Sequence, residues 1–296
     1  MNFKKNILLN KPDISESSIR AYEKNLIKIS KTINIKKIDE IKKYLKEYSI
    51  STKKNYMVAL MVYFGKNYDK YNELLKYFIE LRKNYDIQIE TSIKSEKEHI
   101  NWISLKKLIK IQRKNERIFK ALKLTETVDK LKIKEFNIMN NYLISSLYTL
   151  CPPQRNNWAS VEIINNYNQI KDDKNYLLVL SRNRKILIIS DYKTKKHYGE
   201  IRINVNKKLN SVFNKILKLN NTKYLILNKT RKEPVSNNHL TKLINRAFKA
   251  SNKKISSTMI RHIYLSDKYG SNYEDRKEDS KMMFHSLETQ NKYIKI

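Results

Sequence analysis

The chain has 296 residues, 40% of them hydrophobic and 31% charged. That is enough apolar material for one large domain or two of ordinary size, and it excludes a disordered polymer. Its 62 Lys and Arg against 29 Asp and Glu give a net charge of +33, a field that attracts polyphosphates such as nucleic acid, although an A+T-rich gene also accumulates Lys, Asn, Ile and Tyr without selection for binding.

The single cysteine, Cys151, excludes an intramolecular disulfide and a Cys-based zinc cluster, and it points to a reducing, intracellular compartment. The first 20 residues carry only a short "ILL", too little apolar sequence for secretion or for spanning a membrane. Three glycines and four prolines in the whole chain favour long helices joined by short polar loops.

In chain order, Asp13 with Glu16 has the form of a capping box. Ile14, Ile19, Tyr22, Leu26, Ile29 and Ile33 then recur at near-helical spacing. Three further helices follow, marked by Ile38, Ile41, Leu45 and Tyr48, by Tyr56, Ala59, Leu60, Tyr63 and Phe64, and by Leu74, Leu75, Phe78 and Leu81. Four such helices make a small bundle over 1–88. Ser51, Thr52, Lys53 and Lys54 open the third of them, where backbone N–H groups and cationic side chains suit a phosphate, so Lys53 and Lys54 are candidate substrate contacts. The remaining lysines read as a solvated face.

Between 86 and 100 the periodicity loosens, and 89–101 reads as a linker. Helical signals return at 102–117 and 135–150. The β-rich runs "YLLVL" (176–180), "KILIIS" (185–190) and "EIRINV" (200–205) predict a small antiparallel sheet. Helical patterns resume at 207–218, 238–250, 257–269 and 274–284, with "YLIL" at 224–227 between the first two. The expected fold is mainly α with a small antiparallel β-sheet, an α+β architecture whose second domain is 102–296.

Several residues capable of chemistry sit at structural boundaries. Arg155 follows "CPP", where two prolines end a helix and force a turn. Lys193 lies in "DYKTKKHYG", in or beside a hairpin. Arg261 lies on the apolar helix "STMIRHIYLS", where a guanidinium is costly without an anionic partner. His285 and Tyr293 stand eight apart in the closing "FHSLETQNKYIKI". Tyr192 and Tyr198 read as strand aromatics, His197 and His239 as solvent-facing, and Trp102 as packing where the linker meets the second domain.

Taken in order, this set resembles the catalytic domain of the tyrosine recombinase, or phage-integrase-like, family. That family carries an arginine, a hairpin lysine, a His-x-x-Arg element, a His or Trp and a tyrosine nucleophile in this sequence. "LYTLCPPQRNNW" is similar to the helix end and turn of its first arginine as found in viral members. "DYKTKKHYGE" looks like the lysine hairpin, "TMIR" at 258–261 like the His-x-x-Arg element, and "FHSLETQNKYIKI" like the closing box. The bundle before residue 86 is similar to the family's N-terminal core-binding domain, so the resemblance covers nearly the whole chain. Two positions depart from it: Thr258 replaces the first histidine of His-x-x-Arg, and Trp158 stands three after the first arginine where a carboxylate is common.

The resemblance implies a site-specific recombinase or integrase of a virus or mobile element, acting on double-stranded DNA through a 3′-phosphotyrosine. Tyr293 is then the nucleophile, Arg155 and Arg261 stabilise charge, Lys193 protonates the leaving oxygen, and His285 donates to a phosphoryl oxygen. Thr258 stands as the possible substitute for the usual histidine. Neither metal nor cofactor is required. Paired DNA sites would assemble a tetramer from protein that is monomeric when free, because three residues beyond Tyr293 are too few for a docking helix. The rival readings are a type IB topoisomerase, with the same chemistry, and an inert DNA-binding relative.

Overall fold

The computed structural model describes residues 2–90, 94–171, 173–192, 195, 199–269, 279, 280, 282, 283, 289 and 293. The chain divides into two compact units, 1–91 and 92–296. No helix among the described residues is long and apolar enough to cross a membrane.

The first unit contains five helices: α1 (Phe3–Asn10), α2 (Glu16–Ser30), α3 (Ile38–Leu45), α4 (Ile50–Phe64) and α5 (Tyr71–Glu90). Its apolar stripes meet in one core that includes Ile7, Leu26, Ile29, Ile41, Leu45, Met57, Leu60 and Leu74. Helix α1 is additional to the four expected, and its inward face consists of Phe3 and Ile7 alone. The entry to α2 also differs from expectation. Ser15, not Asp13, is the cap, its hydroxyl accepting from the Ser18 N–H, because the residue immediately before the first turn is the one within reach.

Helix α4 ends at Gly65, whose φ of +73° favours glycine, and a Cβ there would stand 2.4 Å from Asn10 Oδ1. That approach is close because the Asn10 amide donates to the Val62 and Tyr63 carbonyls and so closes the C-terminus of α4.

The second unit opens with α6 (Glu96–Asn101), so part of the stretch expected to be linker is helical, as is the preceding end of α5. A capping box made by Ser95 and Glu98 starts α6. Helices α7 (Leu105–Ala121) and α8 (Ile133–Leu147) follow, then strands β1 (Glu162–Ile164), β2 (Asn175–Val179), β3 (Lys185–Ile189) and β4 (Ile201–Asn204). Helices α9 (Lys207–Leu219), α10 (Asn237–Ala247) and α11 (Ser257–Lys268) complete the described elements. The pattern expected at 274–284 falls mostly outside the described residues.

The fold is therefore α+β, mainly helical with one small sheet ordered β1-β2-β3-β4. The three strands read from the sequence pair antiparallel, with Leu177 opposite Leu187 and Ile188 opposite Arg202. Strand β1 was not foreseen, and it joins β2 in parallel, which makes the sheet mixed rather than purely antiparallel.

Leu177, Leu187 and Ile189 point into the main core with α8 and α9, whereas Tyr176, Leu178, Ile186 and Ile188 form a second cluster on the opposite face. Burial on both faces explains why β2 and β3 read as unbroken apolar runs. At the start of β3 the buried Lys185 ammonium donates to the Arg182 carbonyl and to the side-chain oxygens of Asn210 and Asn214. Burial holds its pKa below the ordinary lysine value.

Candidate active site

Helix α8 ends at Leu147 with Tyr148 as its cap, short of the expected 150, and beyond it Pro152 and Pro153, which lack backbone donors, lead to Arg155 and a 3-10 turn, Asn156–Trp158. Two contacts fix this turn. The buried Tyr148 hydroxyl donates to the Arg155 carbonyl at 2.9 Å, and Trp158, 1% exposed, sits in the main core with its ring 6.5 Å from Phe213. Position 158 thus holds the turn by packing, where a carboxylate would have held it by charge.

Two asparagines complete the support. The Asn156 amide donates to the Asn237 carbonyl and the Thr241 hydroxyl of α10, and its oxygen accepts from Ser257 in the first turn of α11. Asn175, buried at the start of β2, accepts from the Ser190 and Asp191 N–H groups and donates to the Asn157 and Asp191 carbonyls. It ties the arginine turn to the chain leaving β3. Neither asparagine was singled out in the sequence. The available signal at 175 was a residue type depleted in strands opening an apolar run.

Helix α11 carries Arg261 on its buried side among Met259, Ile260 and Ile263. The side chain is fully buried. Its Nη1 donates to the Pro153 and Met283 carbonyls at 3.3 and 3.4 Å, and its guanidinium carbon lies 4.6 Å from the centre of the Tyr293 ring. Burial lowers its pKa, against the opposing influence of Tyr293. Asp279, also buried, accepts from the Tyr264 hydroxyl and the Lys268 ammonium, which anchors the chain beside Met283 to α11.

The tyrosine completes the convergence. Arg155 Nη2 donates to the Tyr293 hydroxyl at 3.1 Å across 138 positions of sequence, while Arg261 lies over the ring face. The imidazole of His262 meets the ring edge-to-face, with centroids 4.9 Å apart and planes at 90°. Burial pushes the phenol pKa up, but Arg261 and Arg155 more than offset it, and the group is held below the ordinary tyrosine value. A phenol flanked by two guanidinium groups and easier to ionise than usual is suited to nucleophilic attack on an anionic centre.

The structure therefore brings Arg155, Arg261 and Tyr293 together. Lys193 and His285 lie outside the described residues. Lys195, two residues after Lys193, pairs with Asp173. Thr258 is exposed and lines a cavity of about 390 Å³ with Arg155, Asn157, Asp191, Tyr192 and Ser257. Tyr192 is thus more than a strand aromatic, and its hydroxyl donates to the Gly199 carbonyl across the hairpin arms.

In the first unit, Ser49 engages the N–H groups of Thr52 and Lys53, and the Lys54 ammonium stands 3.6 Å from the centre of the Tyr85 ring. Among the described residues, no cluster of three or more His, Cys, Asp or Glu is arranged to hold a metal ion.

No family model matches the chain, and no curated protein matches it. Among solved structures it is similar to the crystal structure of XerA recombinase, at 14% identity over 99% of this chain and 93% of that one, with a TM-score of 0.43. A likeness this loose assigns no residue a role, so the chemistry rests on the side chains described above.

Proposed function

We propose that this chain is a site-specific DNA recombinase or integrase of the tyrosine recombinase kind, which cleaves and rejoins strands through a covalent bond to Tyr293. One observation carries the reading. Two arginines distant in sequence meet at a single tyrosine near the end of the chain, one on its hydroxyl and one under its ring.

In the proposed reaction the Tyr293 hydroxyl, its pKa lowered by Arg261 and Arg155, releases its proton to solvent, and the phenolate oxygen attacks the phosphorus of a DNA phosphodiester. The bond to the 5′ oxygen breaks, and that oxygen takes a proton from Lys193. Arg155 and Arg261 donate to the non-bridging oxygens as charge accumulates on them, with His285 donating beside them. The phosphotyrosine retains the energy of the broken bond. A 5′ hydroxyl attacking it reverses the step, so rejoining consumes no cofactor.

Double-stranded DNA is the proposed partner. Lys53 and Lys54 on the first unit would contact its backbone, and four copies would assemble on paired sites. A viral or mobile-element origin is inferred from the A+T-rich composition and the "CPPQR" resemblance, and the site of action is at DNA inside a cell.

The test is incubation with a nicked suicide substrate, in which the leaving fragment diffuses away and traps the adduct. Covalent protein is expected, and it should vanish in Tyr293→Phe while DNA affinity is retained. An adduct that survives Tyr293→Phe refutes the assignment, and absence of any adduct favours an inert DNA-binding relative. Product formation that does not require paired sites would indicate a type IB topoisomerase.

A further inference from the structure

The residue that the family resemblance leads one to expect at 258 is a histidine, and Thr258 brings a hydroxyl there in place of an imidazole. The structure supplies an imidazole from elsewhere. We propose that Glu98 and His262 act as a positioning pair for Tyr293, an inference that rests on Tyr293 being the nucleophile. Neither residue was assigned a role from the sequence, and Glu98 fell in the expected linker.

The pair is built from two directions. Glu98 is the third residue of α6, and its Oε2 accepts from the Ser95 N–H at 2.9 Å and the Ser95 hydroxyl at 2.7 Å. Its other oxygen, Oε1, lies 2.5 Å from His262 Nδ1, and the two side chains are only 16% and 13% exposed. A carboxylate held by a helix cap on one side and an imidazole on the other has little freedom left. The close approach of the carboxylate to Nδ1 restrains the imidazole against Glu98.

The imidazole so restrained stands perpendicular to the Tyr293 ring. With Arg261 on the ring face and His262 at right angles to it, tilting and sideways displacement of the ring are opposed, and its hydroxyl stays on Arg155. A misplacement of about 1 Å at a nucleophile costs roughly a hundredfold in rate. A pair that touches neither phosphate nor leaving group can therefore control cleavage.

The plain alternative is packing alone, and His262→Phe separates the two. It keeps an aromatic ring against Tyr293 but loses the bond to Glu98. Glu98→Gln keeps an oxygen for the Ser95 cap and loses the charge facing His262.

With the full-length protein and saturating suicide DNA, each variant is expected to slow single-turnover adduct formation by about 10- to 100-fold, with DNA affinity unchanged. The double variant should be no slower than the worse single one, since both substitutions break the same contact. On DNA with a sulfur at the 5′ bridging position, the departing thiolate needs no proton. Lys193→Ala should then recover, and the His262 and Glu98 variants should not.

Rates within twofold of the parent, additive losses, or a defect expressed only as weaker DNA binding would overturn the pair. Should His262→Phe melt well below the parent, Glu98→Gln decides alone. A parent protein that forms no adduct overturns the covalent reading and the pair together, whereas a Tyr293-dependent adduct with unimpaired variants overturns the pair alone.

Discussion

Replacing Arg261 by methionine should abolish chemistry while leaving the fold nearly as stable as before. The guanidinium is fully buried, and removing such a cation from water costs several kcal/mol even after the surroundings relax. Against this stand interactions that include two long hydrogen bonds to backbone carbonyls, about 1.5 kcal/mol each for a charged donor, and the contact with the Tyr293 ring, about 2 kcal/mol when dry. The two sides nearly cancel, so Arg261 contributes little net stability.

Methionine refills most of the volume with a flexible apolar chain. Arg261→Met should therefore unfold within about 2 kcal/mol of the parent, a shift in Tm of roughly 8 °C at most for a unit of this size. Adduct formation, by contrast, should fall by about 10²–10³-fold, the usual loss when a charge-stabilising donor is removed. Calorimetry and single-turnover trapping on the same preparation provide the assay. A fall in Tm well beyond 10 °C, or adduct formation within tenfold of the parent, would show that the arginine is structural.

Four further outcomes are expected. The rate of adduct formation should rise with pH and level off below the ordinary tyrosine range near 10, and Arg155→Ala should move that inflection upward. Because the folded pKa of Tyr293 is depressed, its ionisation adds stability that is fully present above the unfolded pKa and is lost as pH falls through the folded one. Alkaline denaturant titrations should accordingly favour the parent over Tyr293→Phe, and the opposite sign would contradict the assigned charges.

Asn175→Leu strands the buried Ser190 N–H, the part-buried Asp191 N–H and two part-buried carbonyls, so a loss of about 2 kcal/mol or more is expected in urea titration. A change under 1 kcal/mol would mean the clamp is idle. DNA affinity should fall steeply with salt, as counterions are released by a chain of net charge +33. A flat titration would assign that charge to codon bias.

What could be read from the sequence was whatever repeats locally. Helices α2 to α5 and α7 to α11 announce themselves because inward residues recur every third or fourth position, as at Ile19, Leu26 and Ile29. Helix α1 does not, since Phe3 and Ile7 are too few to establish a period. Strand β1 has three residues, and its parallel pairing with β2 exists only once the chain between them has returned.

The same distinction applies to the site. Arg155, Arg261 and Tyr293 could be nominated from residue type and order, because a dipositive clamp and a phenol have few substitutes in such chemistry. Asn156, Asn175 and Glu98 could not. Their partners are backbone groups and an imidazole from remote segments, and no local pattern encodes those meetings.

The four bonds of Asn175 also have a mechanical meaning. One amide rivets the root of β2 to the turn behind Arg155 and to the chain leaving β3 at Asp191. A pull on that arm cannot be absorbed locally, because strands slip only by whole residues and a one-residue slip would undo the five-pair register of β2 with β3 and take Lys185 away from Asn210 and Asn214. The load passes through the rivet to the arginine turn. Under the proposed function, engagement of DNA on one side of the cavity would be transmitted as tension to Arg155 on the other.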